Sequence, residues 1–575
     1  MNRKLVLTAV LSVVILTAFA MTAATGLARP AVVQDNDYTM KVLVRGAPLH
    51  EANGIWADGR GRLYVATVAG AQVAVLDART GHLIDRLSYS AADDVTMGPD
   101  GSLYWTDLLD GKVWRMAPDG AVTSQFVAPG MNPITFSADG RLFVAQAILP
   151  VGQTLYELDP ALDADPTPIW IPGAFALQLN GFDFGPDGML YAPQPYAGTV
   201  IRLDLSADPI TPQVVATDLP FPTAVKFDSR GRLFAVTSAA DGQVVRIDVA
   251  RGKVHPVATV PTGLSGLDNL AFGPRDELYC TGGGDGSVWR ILPSGVARNL
   301  SRGGLNIPTG VVAAPGRGKG HPVSLYVGNV FGYYKFDART GHEQDVQWMS
   351  FGGSALTMPF TLAAYGHDLV LTSYFANSVQ VWDPVTATSL GEWPDLPVPV
   401  NAVGFGKDLV IATVGGGGAV TRQTLDGVRT PFSFPDPQAI PFYLPSGLAA
   451  TDDDLWVADW ATGIVWQLVA DGVTLTPALP VTFGLHGPEG MAVDRDGSLL
   501  VVEATTRELT RIDVATGATS TVATGLRLGM TPPPSLSFLP NMYLSGVAVD
   551  AAGSIYVTGD EGRVVYRLMR IPRGR

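Results

Sequence analysis

The chain of 575 residues holds a single cysteine, Cys280, so no intramolecular disulfide can form. No cysteine follows the N-terminal segment either, which excludes a lipoprotein anchor. Histidine is scarce, with seven in all, and no two stand at zinc-ligand spacing. Charged residues make up only 16 % of the chain, and the balance among them is acidic, with a net charge of −14. That balance argues against nucleic acid and anionic membrane surfaces as partners and suits a cation or a neutral substrate. There is no Gly-x-Ser-x-Gly nucleophile elbow, and the glycine run at 415–418 lacks the Lys and Ser or Thr of a phosphate loop. Beyond the N-terminus no run is long and apolar enough to span a bilayer.

What is present begins with a positive pair, Arg3 and Lys4, an uncharged apolar run from Leu5 to Ala20, and small residues at Ala18, Ala20 and Ala28. Residues 1–28 therefore read as a secretory signal, with an uncleaved anchor as the alternative, and the expected location is periplasmic or extracellular. The rest is rich in turn residues, with 65 Gly and 43 Pro, and in apolar residues, at 47 %. Many short strands need that composition.

One phrase recurs: a Pro-Asp-Gly turn, then Leu-aromatic-small, then Gly-x-Val-x-Arg. GPDGSLYWTDLLDGKVWRM from Gly98, GPDGMLYAPQPYAGTVIRL from Gly185 and DRDGSLLVVEATTRELTRI from Asp494 are three copies. The apolar residue opening the second strand of each copy runs from Leu63 to Ile555 at intervals of about 45 residues, the length of one four-stranded propeller blade. Apolar and polar residues alternate over short runs, so the elements are strands and helical solenoids are excluded. Twelve blades in one ring would leave a wide unfilled channel. The fold class is therefore all-β, two tandem six-bladed β-propellers after the signal segment. Closure of each ring demands that no edge strand stay unpaired. The expectation is that 39–46 completes blade six and 295–301 completes blade twelve, giving domains at 37–293 and 294–575. Four less regular stretches, 150–176, 341–358, 430–443 and 526–542, are expected to cap a propeller face.

The first strand of each blade lines the central channel, and its opening residue points toward the axis. Counting back from the Leu of each repeat gives Asn53, Asp93, Asn132, Asn180, Thr223 and Asp268 for the first six blades. The last six give Thr309, Thr361, Asn401, Ser446, Glu489 and Ser545. A hard cation takes six to eight oxygen ligands, which the first set offers. Turn capping by Asn, Asp, Ser and Thr explains one such residue per blade without any metal. It does not explain why the first set is all amide and carboxylate but for one threonine. His50 and His486 stand just before a first strand, and Glu51 shares strand parity with Asn53.

At these residues the chain resembles the calcium-dependent six-bladed propeller hydrolases: the senescence marker protein/gluconolactonase family, the paraoxonases and diisopropyl fluorophosphatase. In that superfamily a channel calcium is held by a Glu of the first blade, Asn residues of middle blades and an Asp of a later one. Asn132 in MNPITFSADGRLFV and Asn180 in LNGFDFGPDGMLYA look like the middle asparagines, and Asp268-Asn269 in LDNLAFG is similar to the paraoxonase Asp-Asn pair. The resemblance implies Ca²⁺ as cofactor, with Glu51, Asn53, Asn132, Asn180, Asp268 and Asn269 as ligands. It implies hydrolysis of a neutral lactone or related ester, with Asp93 or Asp268 as base or nucleophile and His50 as proton shuttle. The repeats are also similar to NHL, YWTD and strictosidine-synthase-like propellers. Two alternatives therefore stay open: a non-catalytic scaffold binding a protein or glycan, and a strictosidine-synthase-like or streptogramin-lyase-like enzyme.

Overall fold

The computed structural model describes residues 30–147, 154–171, 179–314, 323–349, 355–432, 442–536 and 540–571. The expected signal segment, 1–28, lies outside them. The fold is all-β, in twelve antiparallel sheets of four strands, one of which gains a fifth. Each blade begins as the sequence pattern dictates. In blade two, Asp100 accepts a hydrogen bond from the Ser102 amide at 2.9 Å, and Gly101 takes φ of 81°, a conformation that favours glycine. The chain is thereby turned from Ala92–Met97 into Leu103–Asp107. The repeated Leu or Ile opens the second strand of its blade, and Leu63, Leu142, Leu190, Leu233, Leu325, Leu455, Leu499 and Ile555 are wholly buried. Each such side chain contributes roughly 1.5–3 kcal/mol of burial free energy, and together they form the cores between and within blades.

The innermost strands close into two rings. Ile55–Ala57, Ala92–Met97, Met131–Phe136, Asp183–Phe184, Pro222–Phe227 and Leu270–Phe272 each contact the next, and the last contacts the first. Pro308–Ala314, Thr361–Tyr365, Pro399–Phe405, Pro445–Ala450, Pro488–Val493 and Val547–Val549 do the same in the second ring.

The closure differs from the sequence expectation. Ala297–Ser301 pairs with Ser287–Ile291 inside blade six, and the N-terminal strand Tyr38–Arg45 pairs with Val564–Arg570 in blade twelve. The physical reason is loop length: a hairpin through Leu292–Val296 closes at small entropic cost, leaving blade twelve with the one open edge for the incoming strand. A boundary at 293/294 would cut blade six, and residues 38–45 belong to the second ring. The first propeller is thus a continuous insertion within a second propeller that holds both ends of the described chain. Val32–Val33 adds the fifth strand, to blade eleven.

Two crossings join the rings, and they run side by side. The Gly46 amide donates to the Arg563 carbonyl at 2.7 Å and the Ala47 amide to the Leu305 carbonyl at 2.7 Å. A Cβ on Gly46 would lie 1.9 Å from the Leu305 carbonyl oxygen, so only glycine fits there. Of the expected caps, 150–176 instead supplies strands Leu155–Leu158 and Thr167–Ile169 of blade three, and 341–358 supplies Glu343–Trp348 of blade seven. Most of 430–443 lies outside the described residues. The stretch 526–542 does bridge the propellers: the Ser535 amide donates to Asp110 of blade two at 2.9 Å.

Candidate functional site

The two sets of channel residues have opposite fates. In the second ring they belt one blade to the next. Thr309 donates to the Pro359 carbonyl at 3.4 Å, Thr361 to Val400 at 3.2 Å, Asn401 to Ser446 at 2.8 Å and Ser446 to Pro488 at 2.6 Å. Glu489 accepts from the Ser545 amide at 2.8 Å, and Thr558 of the last blade returns to the Thr309 carbonyl. The cavity of about 310 Å³ along the second-ring strands includes Thr361, Asn401 and Ser545 in its lining and, among the described residues, no charged side chain.

In the first ring other groups do the belting. The Gly54 amide donates to the Asp93 carbonyl at 2.7 Å, Thr106 to the Asn132 carbonyl at 2.6 Å, the Val225 amide to the Gly181 carbonyl at 2.7 Å, and Thr281 to the Asn53 carbonyl. Among the six channel residues Thr223 alone bonds the backbone of the next blade in this way, at the Leu267 carbonyl, 3.0 Å away. The side chains of Asn53 and Asp93 meet each other at 3.5 Å, Asn180 Oδ1 accepts from the Gly181 amide at 3.0 Å, and Asn132 and Asp268 take no part in the belt.

Their electrostatics are those of a site short of positive charge. Asp93 is 2 % exposed, and its Oδ1 is buried with no hydrogen-bond partner among the described residues. Burial, then the charges of Asp268, Glu51 and Asp94, push its carboxyl well above the usual range. Asp268, which keeps some solvent contact, is pushed up to about 8 by burial and then by Glu51 and Asp94. Burial raises Glu51 to about 7 against hydrogen bonds from the Ala69 and Val68 amides and Asn53; the Ala69 bond is 2.7 Å. Among the described residues no three His, Cys, Asp or Glu side chains converge closely enough to hold a metal ion by themselves. A cation here would also need amide oxygens: those of Asn53 and Asn132 are at hand, while Asn180 Oδ1 already accepts from the Gly181 amide at 3.0 Å and has one lone pair to offer.

Two expected residues take other tasks. Asn269 donates from Nδ2 to Asp94 at 3.1 Å while its Oδ1 accepts from the Leu270 amide at 2.8 Å, so it orients Asp94 and is not free to face an ion. His50 is buried between the propellers, with Nε2 3.0 Å from the Asp560 carbonyl and Nδ1 3.1 Å from the Arg563 guanidinium. Burial and the Arg563 charge push its pKa well below the usual value. A neutral imidazole with both nitrogens engaged clasps the two rings and does not shuttle protons. His486 is exposed beside Glu503.

The sequence reading missed a second group further along the same strands. The ammonium of Lys226, a buried residue, donates to the Phe182 carbonyl at 3.1 Å, and its charge offsets part of the rise that burial imposes on Asp94 and Asp183. Asp94 also accepts from the Ile134 amide at 3.1 Å and Asp183 from the Phe227 amide at 2.9 Å, so these carboxylates tie neighbouring blades. A lysine within the apolar strand PTAVKF was the available signal.

With that geometry in place, comparison with known proteins is informative. Residues 94–316 match the family described as the SMP-30/gluconolactonase/LRE-like region, and they span blades two to six and the start of blade seven. The resemblance read from the motifs thus holds over blades two to six, while blade one, with Glu51 and Asn53, lies outside the match. No curated protein matches the sequence. Solved structures similar to the chain include a streptogramin B lyase, with 15 % identity, a TM-score of 0.37 and coverage of 50 % of this chain and 94 % of that one. A gluconolactonase from Xanthomonas campestris has 17 % identity, a TM-score of 0.35 and coverage of 45 % and 96 %.

Proposed function

We propose that the protein is exported and that its first propeller binds calcium in the channel and hydrolyses lactones or related esters there. One observation carries this reading. The belt that consumes the channel side chains of the second ring is made by threonines and backbone in the first, which leaves Asp93, Asp268 and the amides of Asn53, Asn132 and Asn180 out of it. The raised carboxyls of Asp93, Asp268 and Glu51, and the buried Oδ1 of Asp93 without a partner, are what a cation would relieve. The family match over residues 94–316 supports the same reaction class. Export rests on the Arg3, Lys4 and Leu5–Ala20 pattern.

Glu51, Asn53, Asp93, Asn132, Asn180 and Asp268 would hold the ion. When bound, calcium supplies a Lewis acid that polarises the carbonyl of the substrate. The protein contributes placement and proton transfer. Asp268 retains solvent contact and takes the proton of the attacking water as its oxygen bonds to the carbonyl carbon, then returns it to the departing ring oxygen. Asp93, buried, holds charge and not a proton in transit. Lys226, Asp94 and Asp183 keep the blades in register beneath this group.

Calcium titration of the purified chain by calorimetry, followed by a lactone and aryl-ester panel, tests the reading. Saturable calcium binding and calcium-dependent turnover that Asp268→Asn abolishes are expected. Absence of both binding and turnover would overturn it and leave a scaffold that works through its faces.

A further inference from the structure

Outside the channel, the start of the described chain and the loops of blade eleven enclose a cleft of about 480 Å³. Its polar lining is Gln34, Thr506, Arg507, Thr524 and Arg527, its apolar lining Pro30 and Val32, and among the described residues no acidic one lines it. In a chain of net charge −14 two guanidiniums lining one cavity, with a single carboxylate in ion-pair reach of one of them, are unexpected. Asp35 is engaged outside the cleft, with Arg511 at 3.1 Å, whereas Glu561 pairs with the cleft residue Arg507 at 3.4 Å, a long ion pair with which an incoming anion competes. The guanidinium of Arg527 has no hydrogen bond or ion pair among the described residues.

The backbone of Arg527 is fixed all the same. The Gly562 amide donates to its carbonyl at 3.0 Å, and its own amide donates to the Tyr566 hydroxyl at 3.2 Å. A Cβ on Gly562 would lie 2.7 Å from the Arg527 Cβ, and one on Gly559 2.5 Å from its carbonyl oxygen, so glycines allow the close approach. Arg86 of blade one and Arg563 of blade twelve add to the positive field: after burial, Arg86 and Arg527 are what hold the Arg563 guanidinium down to about 10. A fixed backbone at Arg527, two forked cations, two lining hydroxyls and an apolar wall make up the chemistry that recognises a phosphate group carrying an organic portion.

We propose that this cleft binds a small phosphate-bearing anion, with Arg507 and Arg527 as the residues that grip it. The site is independent of the channel and of the calcium reading. Forks from the two arginines take the phosphate oxygens, Thr506 and Thr524 donate from the rim, and Pro30 and Val32 cover the organic part.

The test is calorimetry on the full chain at constant ionic strength, with inorganic phosphate and phenyl phosphate as probes and acetate as the control anion. One saturable site for phosphate is expected, weakened about tenfold by Arg527→Gln or Arg507→Gln and lost in the double variant. Arg251→Gln, which removes an exposed arginine of the first propeller, leaves the affinity unchanged. Thermal melts of each variant without phosphate separate loss of binding from loss of fold. Tighter binding of phenyl phosphate assigns the site to phosphomonoesters; equal binding assigns it to free phosphate. No saturable binding at millimolar phosphate, binding no stronger than that of acetate, or unchanged affinity in a folded double variant overturns the proposal.

Discussion

The hydroxyl of Tyr543 in the second propeller donates to the carbonyl of Ala69 in the first at 3.3 Å, and the Ala69 amide in turn donates to Glu51 at 2.7 Å. Tyr543 stacks on Phe360 at 6.2 Å, and Phe360 packs against Tyr374, whose hydroxyl donates to the Met542 carbonyl at 2.8 Å. The second propeller therefore helps to set the position of a carboxylate at the first channel. Tyr543→Phe should lower stability by about 1 kcal/mol, the net value of one hydrogen bond, and weaken calcium binding several-fold. Urea midpoints and calcium calorimetry on the same preparation check both parts.

Asp93→Asn should act with opposite signs in the presence and absence of calcium. Without the ion it removes a buried carboxylate that Asp268, Glu51 and Asp94 repel, so the melting temperature in chelator should rise. With the ion it removes a charged ligand, so the rise in melting temperature that calcium confers should shrink. Paired thermal scans in chelator and in calcium measure the difference, and a fall in chelator would show that the repulsion is not what governs Asp93.

Glu489 gives a prediction on pH. Burial, then the charge of Asp560, push it from 4.5 up to about 8 against hydrogen bonds from Asn541 and Ser545. A carboxyl raised on folding contributes stability that is present below its unfolded pKa and lost as pH climbs through its folded pKa. Wild-type stability should therefore decline between about pH 4.5 and about pH 8 in the part due to this group. Glu489→Gln should flatten that decline and be the more stable protein at the upper end. Denaturant midpoints at intervals across this range read the slope directly.

Closure of the second ring by the N-terminal strand makes residues near the start of the chain part of its far end. Val44 is 7 % exposed and packs with Tyr334, Tyr556 and Val565. Val44→Ala should cost about 2 kcal/mol, as in an ordinary core, although the partners lie hundreds of residues away. A loss within a few tenths of zero would mean that the strand is not held in the blade.

Cys280 lies wholly buried in blade six, and burial raises its thiol pKa. Thiol-specific labelling of the native chain should accordingly be slow until the first propeller unfolds.

By itself the sequence determined twelve blades, their division into two rings of six, and the six residues that open each channel. Those features are set locally, by strand alternation, turn glycines and a repeating Leu, and local rules are legible in one dimension. Tertiary structure decided which strand closed which ring, because pairing of Tyr38–Arg45 with Val564–Arg570 depends on which edge is left open and not on anything in either segment. It decided, too, that Asn269 and His50 hold other groups in place while the side chains of Asn132 and Asn180 stay out of the belt between blades. A side chain's task depends on which donors and acceptors meet it from other blades, and hydrogen bonds from Arg563 to His50 or from Asn269 to Asp94 join residues far apart in the chain. The same holds for the difference between the rings. Both sets of channel residues are polar in sequence, and only the assembled belt shows that one set is used up in holding blades together while most of the other is spared that task.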